Sequence, residues 1–225
     1  VTMGGASKRA KLGLCLIWRA DAIALRPRLL LVEKPLATTV EEAEKMLSEA
    51  QEAGVGIVVN YFRRFDPGVR WLRDWLQEGR LGNFQAGHGY YSRGLLNSAS
   101  HLINLAQYWL GDPEFMRGVQ ITREWSSGDA DVAFEIGFAG GVSVRFDPVD
   151  HDQFSFYELD LVFTESRVVL DDRLGLNVFD VSQDTNFPGY RSLRAAPTPA
   201  GTDFSRYQYN VLDALIRGVE DDWSE

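Results

Sequence analysis

The fold of the first part of the chain is decided by residues 28–59, which read RLLLVEKPLATTVEEAEKMLSEAQEAGVGIVV. The stretch has short runs of Leu, Ile and Val at 28–32 and 55–59, which are typical of strands buried in a parallel sheet. Between these runs, Thr39 and Glu42 form a capping-box pattern ahead of apolar residues at helical spacing that end at Gly54. The order strand, helix, strand predicts a right-handed parallel crossover unit.

Composition and charge narrow the class of protein. The chain has 225 residues, with 23 Lys and Arg against 32 Asp and Glu, and its formal net charge is -9. This acidic balance argues against a nucleic-acid or anionic-membrane partner, and no apolar run approaches the roughly 18 residues that cross a bilayer. A single cysteine, Cys15, cannot form an internal disulfide, which favours a cytoplasmic protein.

Beyond Asn60 the pattern changes to short strands separated by Gly and Asp turns, with few helices. The predicted helices are 67–78, 98–110 and 203–217, and the predicted strands are 84–91, 116–124, 132–138, 142–146, 154–163, 167–170 and 174–179. We therefore expect an α/β plus α+β protein. Residues 1–59 form a truncated Rossmann-like remnant, and residues 60–225 form a mostly antiparallel sheet domain with helices on one face.

The first candidate for chemistry is Glu33-Lys34-Pro35, where a buried strand ends in an acid, a base and a proline. At the carboxyl end of a parallel strand, such side chains point into the crevice where open α/β sheets bind ligands. The alternative is that Lys34 ends the strand in solvent and Pro35 only shapes the turn.

The second candidate is Asn97 with His101, at the start of the predicted helix 98–110. Four residues on a helix advance about one turn, so both side chains are expected on the same face. An amide and an imidazole could then meet one substrate hydroxyl, and histidine suits proton transfer near neutral pH. The alternative is a core histidine on an amphipathic helix, with Asn97 or Ser98 as a plain N-cap.

Taken together, these segments resemble the Gfo/Idh/MocA family of NAD(P)-dependent oxidoreductases. The resemblance is carried, in order along the chain, by residues 33–37, 60–67, 78–82 and 97–101. It implies that Lys34 polarises the reacting oxygen, that His101 moves the hydroxyl proton and that Asn97 orients the hydroxyl. It also implies that Glu33, Lys34 and Pro35 contact the cofactor.

The same resemblance implies a sugar, polyol or nucleotide-linked sugar as the substrate, with Tyr61, Arg64 and Tyr91 lining the substrate crevice. NAD or NADP is the implied cofactor. Asn97 stands where the family often has an aspartate, which predicts slower proton transfer because an amide cannot stabilise an imidazolium.

The glycine-rich dinucleotide fingerprint is not found in the sequence. Gly4-Gly5-Ala6-Ser7 lacks both a preceding strand and the third glycine, so we expect the first half of the Rossmann domain to be missing and cofactor binding to be in doubt. The alternative function is a non-catalytic remnant or assembly module of the family.

The sheet domain is the expected site of self-association into a homodimer or homotetramer through its open face. The candidate interface residues are Arg145, Phe146, Phe154, Phe156 and Tyr157. Asp147, Asp150, His151 and Asp152 could suggest a metal site, but we expect a solvated acidic loop and no metal.

Overall fold

The computed structural model describes residues 21–194 and 197–220 of the chain. The single cysteine, Cys15, and the glycines at 4 and 5 lie outside these residues. The described chain divides into two compact units, one made of residues up to Tyr61 together with those from Leu212 on, and one that spans Phe62–Val211. The sequence analysis assigned residues 212–220 to the second unit, because an amphipathic pattern reveals an apolar stripe but not the element that buries it.

The first unit is a parallel strand, helix, strand motif. Strand β1 is Leu29–Val32, helix α1 is Val40–Ala53 and strand β2 is Gly56–Val59. The two strands pair in parallel from Leu29 with Gly56 to Val32 with Val59. A small core lies beneath them, made of Ile23, Val32, Met46, Ala50 and Val55. The predicted crossover unit is present with its predicted helix boundaries.

Helix α1 is capped at both ends by its own sequence. The Thr39 hydroxyl accepts from the Glu42 N–H at 3.2 Å, as the capping-box pattern predicts. The Glu42 carboxylate returns to Thr38, accepting from its N–H at 3.2 Å and from its hydroxyl at 2.6 Å, and these bonds lower the pKa of Glu42. Gly54 ends the helix with φ +70°, a left-handed conformation that glycine adopts without strain.

The second unit is built on a nine-stranded sheet. In chain order its strands are β3 Phe84–Tyr91, β4 Pro113–Ser126, β5 Asp129–Phe138, β6 Val142–Pro148, β7 Tyr157–Phe163, β8 Ser166–Asp171, β9 Gly175–Gln183, β10 Arg191–Leu193 and β11 Thr198–Pro199. The spatial order is β10-β9-β8-β7-β3-β6-β5-β4, with β11 also paired to β9. All pairs are antiparallel except β3 with β6, which agrees with the predicted sheet. Residues 186–202 contain the two short strands β10 and β11.

Helices α2, Pro67–Gln77, and α3, Ser100–Leu110, pack on one face of this sheet. A third helix, α4, Tyr207–Glu220, crosses the division between the units in sequence. The shared core holds aliphatic and aromatic side chains that are almost completely buried, among them Leu72, Leu102, Leu105, Phe134, Ile136, Phe138, Phe146, Leu159 and Leu161. Alternate residues of each strand supply it, since successive side chains point to opposite faces.

The opposite face of the sheet carries ion pairs. Arg117 pairs with Glu135 at 2.8 Å, and Asp147 pairs with both Arg145 at 2.7 Å and His88 at 2.8 Å. This face is therefore polar and charged along β4, β5, β6 and β3.

Two of the five predicted interface residues do not lie on this face. Phe146 is completely buried and Tyr157 is 7% exposed, and both belong to the core between sheet and helices. Successive side chains of a strand point to opposite faces, so the prediction that placed all five residues on one face was wrong for these two.

In the described part of the chain, no helix is long and apolar enough to span a bilayer.

Candidate active site

The strand ends of the first unit bring Glu33 and Asn60 together. The Asn60 N–H donates to the Val32 carbonyl at 2.7 Å, and the Asn60 side-chain amide donates to Glu33 Oε1 at 2.7 Å. Lys34 is half-buried and Pro35 is exposed at the same strand end. A parallel register makes the two strands end side by side, and this is why residues 27 positions apart share one edge.

These groups fit the nicotinamide part of a dinucleotide better than its pyrophosphate. Lys34 and the Glu33–Asn60 pair offer donors and acceptors at the edge where α/β sheets bind ligands. A pyrophosphate, by contrast, needs free backbone N–H groups at a helix N-terminus. Helix α1 begins with Glu41 and Glu42, and the Glu42 carboxylate already accepts the Thr38 N–H. The residues described in the first unit therefore supply no phosphate cradle.

His101 lies in the second unit, at the start of α3. Its side chain is 8% exposed, and the Phe62 ring lies against it with a centroid distance of 5.4 Å and an interplanar angle of 60°. Phe62 belongs to a single 3-10 turn, Phe62–Phe65, and its ring centroid also lies 4.7 Å from that of Tyr207. The imidazole is thus buried against the ring of Phe62 and is restrained by it.

Asn97 lies four residues before His101, and the two side chains differ in exposure. Residues Leu95–Ala99 form a π-helical turn, which winds more widely than the α-helix that the spacing argument assumed. The Asn97 side chain is exposed, whereas His101 is buried, and the Asn97 amide donates to the Arg93 carbonyl at 3.1 Å. Neither Asn97 nor Ser98 is an N-cap, since that position is Gly94 for the π-helical turn and Ala99 for helix α3.

Two buried carboxylates hold the backbone of this turn from strand β5. Asp129 accepts from the Leu96 N–H at 2.8 Å and from the Asn97 N–H at 2.9 Å. Asp131 accepts from the Gly94 N–H at 2.8 Å. Asp129 is 9% exposed and Asp131 is 1% exposed, so both carboxylates are withdrawn from solvent.

Arg63 packs beside Phe62. Its guanidinium stacks 4.3 Å from the Tyr157 ring centroid and 4.7 Å from the Phe62 centroid, and it pairs with Asp172 at 2.8 Å. These contacts fix the turn that carries Phe62, and therefore one wall around His101.

The predicted substrate residues Tyr61 and Arg64 are both half-buried, but they fall in different units. The Arg64 guanidinium lies 4.6 Å from the Tyr108 ring centroid, and Arg73 lies 4.5 Å from the same ring. Burial lowers the pKa of Arg64, and the positive charge of Arg73 acts in the same direction.

Tyr91 does not fit its predicted role as a crevice residue. Its side chain is completely buried, and its hydroxyl donates to the Val132 carbonyl at 2.5 Å and accepts from the Val132 N–H at 2.8 Å. Burial raises the pKa of Tyr91 to about 12. The correction follows from the sheet pleat, which turns Tyr91 toward the core and Tyr90 toward the other face.

The acidic loop considered for a metal is organised around an arginine. Asp150, His151 and Asp152 lie close enough to hold a cation, but Arg123 Nη1 is 2.7 Å from Asp150 and 3.5 Å from Asp152. A second nitrogen of Arg123 contacts the His151 ring, and its Nε lies 3.0 Å from Asp131. The Arg123 guanidinium therefore already supplies the positive charge that a metal ion would bring to these side chains.

Comparison with known proteins finds partial similarity to oxidoreductases. No family model matches the chain. The rhizopine catabolism protein MocA of Rhizobium meliloti is 43% identical over 61 residues, which cover 27% of this chain and 19% of that protein. The chain is similar to Gfo/Idh/MocA oxidoreductases over part of their length. The levoglucosan dehydrogenase of Pseudarthrobacter phenanthrenivorans is 26% identical over 159 residues, which cover 59% of this chain and 40% of that enzyme.

Solved structures share the fold of this chain. A levoglucosan dehydrogenase in complex with NADH and L-sorbose has a TM-score of 0.71 at 18% identity, covering 89% of this chain and 65% of that one. An NADPH-dependent oxidoreductase from Desulfitobacterium hafniense, described as putative, has a TM-score of 0.75 at 12% identity, covering 94% and 68%. The curated relatives are matched over less than half of their own length.

Asp129 and Asp131 were not among the residues predicted from the sequence. A signal was available, because two aspartates at alternate positions open a strand that is otherwise almost entirely apolar from Val132 onward. Buried carboxylates require hydrogen-bond donors, and the pattern therefore indicated partners elsewhere in the chain.

Proposed function

We propose that this protein is an NAD(P)-dependent oxidoreductase acting on a secondary alcohol of a sugar, a polyol or a nucleotide-linked sugar. The printed names of its relatives support the substrate class, since they include a 1,5-anhydro-D-fructose reductase and a D-xylose 1-dehydrogenase. The neighbouring structure that holds NADH and L-sorbose supports the pairing of cofactor and substrate.

In this proposal, three side chains have separate roles at the reacting alcohol. The nicotinamide, when bound, supplies the acceptor or donor of the hydride. During oxidation, Lys34 stabilises the negative charge that develops on the substrate oxygen, and His101 accepts the hydroxyl proton as the adjacent C–H bond breaks. Asn97 hydrogen-bonds the hydroxyl and orients it, and in the reverse direction His101 returns the proton.

The observation that carries the proposal is the setting of His101. Its imidazole is 8% exposed, is packed against Phe62 and lies directly after a backbone turn that two buried carboxylates hold. A surface histidine would not be restrained in this way, and restraint is what proton transfer to a bound hydroxyl requires.

Cofactor binding is tested first. NADH and NADPH are titrated into the full chain, and energy transfer from its six tryptophans is followed. We expect saturable binding at micromolar cofactor. Absence of binding up to millimolar concentrations of both would contradict the proposal and favour the assembly module described below.

Turnover with a panel of sugars and polyols then tests the role of His101. The variant His101→Gln should lose at least about a hundredfold in kcat, because it removes the group that moves the proton, while cofactor affinity changes by less than about twofold. His88→Gln is the matched control, since His88 lies on the charged face of the sheet and pairs with Asp147. Equal losses of kcat in both variants, or a parallel loss of cofactor affinity in His101→Gln, would contradict the role given to His101.

Lys34 is tested in the same assay. Lys34→Met removes the ammonium group and should lower kcat by a similar factor, because the developing negative charge loses its partner. Lys45→Met is the matched control, since Lys45 lies on the exposed side of α1 and pairs with Glu49 at 3.8 Å. A Lys34→Met variant with wild-type kcat would remove Lys34 from the mechanism.

The second candidate function is an assembly module without cofactor binding. It is favoured by the acidic start of α1, which offers no phosphate cradle among the described residues. In either case we propose self-association through the charged face of the sheet, with Arg145 and Phe154 among the exposed contact residues, and a cytoplasmic location. Analytical ultracentrifugation of wild type and Arg145→Glu tests the association, because reversing one charge on a self-complementary face should shift the chain toward monomer.

A further inference from the structure

The start of the helix that carries His101 is capped by no side chain of its own. Gly94 is the N-cap of the π-helical turn Leu95–Ala99 that leads into α3, and neither this turn nor α3 has a side-chain cap. The N–H groups of a first helical turn have no partners within the helix and must find them elsewhere. Here the partners come from strand β5, since Asp129 binds the Leu96 and Asn97 N–H groups at 2.8 and 2.9 Å and Asp131 binds the Gly94 N–H at 2.8 Å.

The glycine makes this approach possible. Gly94 has φ +88°, and a Cβ built on it would lie 2.3 Å from Asp129 Oδ2, well inside van der Waals contact. Backbone and carboxylate are therefore packed too closely to admit a side chain, and the turn cannot move toward β5. The hydrogen bonds oppose movement in the other direction.

The two carboxylates are themselves held in place. Arg123 Nε lies 3.0 Å from Asp131 Oδ2, and the guanidinium continues to Asp150 at 2.7 Å. Asp129 forms both of its bonds with backbone N–H groups at the positive end of the helix, where a carboxylate is stabilised.

We infer that Asp129 and Asp131 are positioning residues for His101. They fix the turn at Gly94–Asn97, and because the helical backbone continues from Leu95 through α3, they also fix the imidazole that begins the second turn. A misplacement of about 1 Å is enough to cost an oriented proton transfer much of its rate. The inference rests on the proposed function for its catalytic meaning, but the restraint itself is measurable without cofactor or substrate.

The test is Asp129→Asn in the full chain, followed by NMR. An amide has one oxygen where the carboxylate has two, so at least one of the two N–H groups must lose its acceptor. We expect the Leu96 and Asn97 amides to exchange with solvent at least about tenfold faster, and the His101 ring signals, assigned by comparison with His101→Gln, to shift or split. If the enzyme turns over, kcat falls about tenfold while the KM for cofactor stays the same.

Asp184→Asn is the matched control. Asp184 also accepts from two consecutive backbone N–H groups, those of Asn186 at 2.8 Å and Phe187 at 3.0 Å, but in the turn between β9 and β10. This variant should leave the Leu96 and Asn97 exchange rates and the His101 signals unchanged. Should Asp129→Asn fail to fold, Asp131→Asn gives the same readouts with the Gly94 amide as the reporter.

Two results would overturn the inference. Exchange at these amides could remain at the wild-type rate, or it could rise while the His101 ring signals stay as in wild type. A wild-type chain that binds no cofactor and oxidises no sugar would instead contradict the proposed function and leave the exchange result standing.

Discussion

Tyr91 and Val132 are joined by two hydrogen bonds through a single oxygen. The Tyr91 hydroxyl donates to the Val132 carbonyl at 2.5 Å and accepts from the Val132 N–H at 2.8 Å. The two residues are 41 positions apart, on β3 and β5, and β6 lies between these strands in the sheet. The phenol therefore satisfies the backbone of a strand that its own strand does not contact, just after the aspartates that hold the turn before His101.

Tyr91→Phe is expected to destabilise the second unit by about 1–3 kcal/mol. The substitution leaves a buried N–H and a buried carbonyl of Val132 without their partner, and that desolvation is not recovered. Urea unfolding followed by circular dichroism measures the change. A difference below about 0.5 kcal/mol would mean that water or another group replaces the hydroxyl.

Tyr157→Phe is expected to be neutral or stabilising, which makes it the natural comparison. Tyr157 is 7% exposed, and among the described residues no group lies within hydrogen-bond distance of its hydroxyl. Removing an unsatisfied polar group costs nothing, and the Arg63 stacking on the ring is retained. Urea unfolding run beside Tyr91→Phe should rank the two variants in opposite directions from wild type, and a loss above about 1 kcal/mol for Tyr157→Phe would contradict this.

Stability should decline at alkaline pH because of these buried phenols. Burial raises the pKa of Tyr91 to about 12, and burial also raises the pKa of Tyr157. A phenol whose folded-state pKa lies above its unfolded value of about 10 contributes stability that is complete below pH 10 and is lost as the pH rises to about 12. The free energy of unfolding should therefore fall by up to about 1.4 kcal/mol per pH unit for Tyr91 in that window.

Unfolding curves at pH 9, 10 and 11 test this slope. Tyr91→Phe should flatten it, whereas Tyr190→Phe should not, because Tyr190 is 70% exposed. Equal slopes for wild type and Tyr91→Phe would show that Tyr91 ionises in the folded chain as easily as in the unfolded one.

Gly94→Ala should be more damaging than Gly128→Ala, although both glycines have positive φ. Gly94 has φ +88° with the Asp129 carboxylate 2.3 Å from a built Cβ, whereas Gly128 has φ +81° with open space around it. Gly128→Ala adds only backbone strain, about 1 kcal/mol, and Gly94→Ala adds a clash with a buried carboxylate, for a total of at least about 2–3 kcal/mol. Thermal unfolding of the two variants measures the difference, and equal losses would argue against close packing at Gly94.

Chelators should not change the stability of the loop around Asp150. Arg123 already contacts Asp150, His151 and Asp152, so a divalent cation would have to displace a guanidinium. We expect the thermal midpoint to be the same in EDTA and in millimolar zinc. A rise of several degrees with zinc would show that these three residues bind metal despite Arg123.

Helices and strands were predictable where the residues that specify them lie within the element or directly beside it. The helix Val40–Ala53 has its cap at Thr39 and its stop at Gly54, and it was predicted to the residue. The parallel pairing of β1 with β2 followed from their apolar runs.

The surroundings of the candidate site were less predictable because they join distant positions. The Leu96 N–H and Asp129 are 33 residues apart, and Arg63 and Asp172 are 109 apart. The local sequence around one residue of such a pair does not identify its partner. The same limit explains why Tyr91 was expected in a crevice, since an aromatic residue at a strand end has the same local sequence whether it faces core or ligand.

The sequence by itself determined the parallel unit, the antiparallel sheet and the identity of Lys34, Asn97 and His101 as candidates, because periodicity, caps and turn residues act over a few positions. Tertiary structure alone decided that Asn97 is exposed while His101 is buried, that Tyr91 serves the core and that Asp129 and Asp131 hold the turn. The physical reason is that burial and hydrogen-bond partnership belong to pairs of residues brought together by folding, and a single position in a sequence records only one member of each pair.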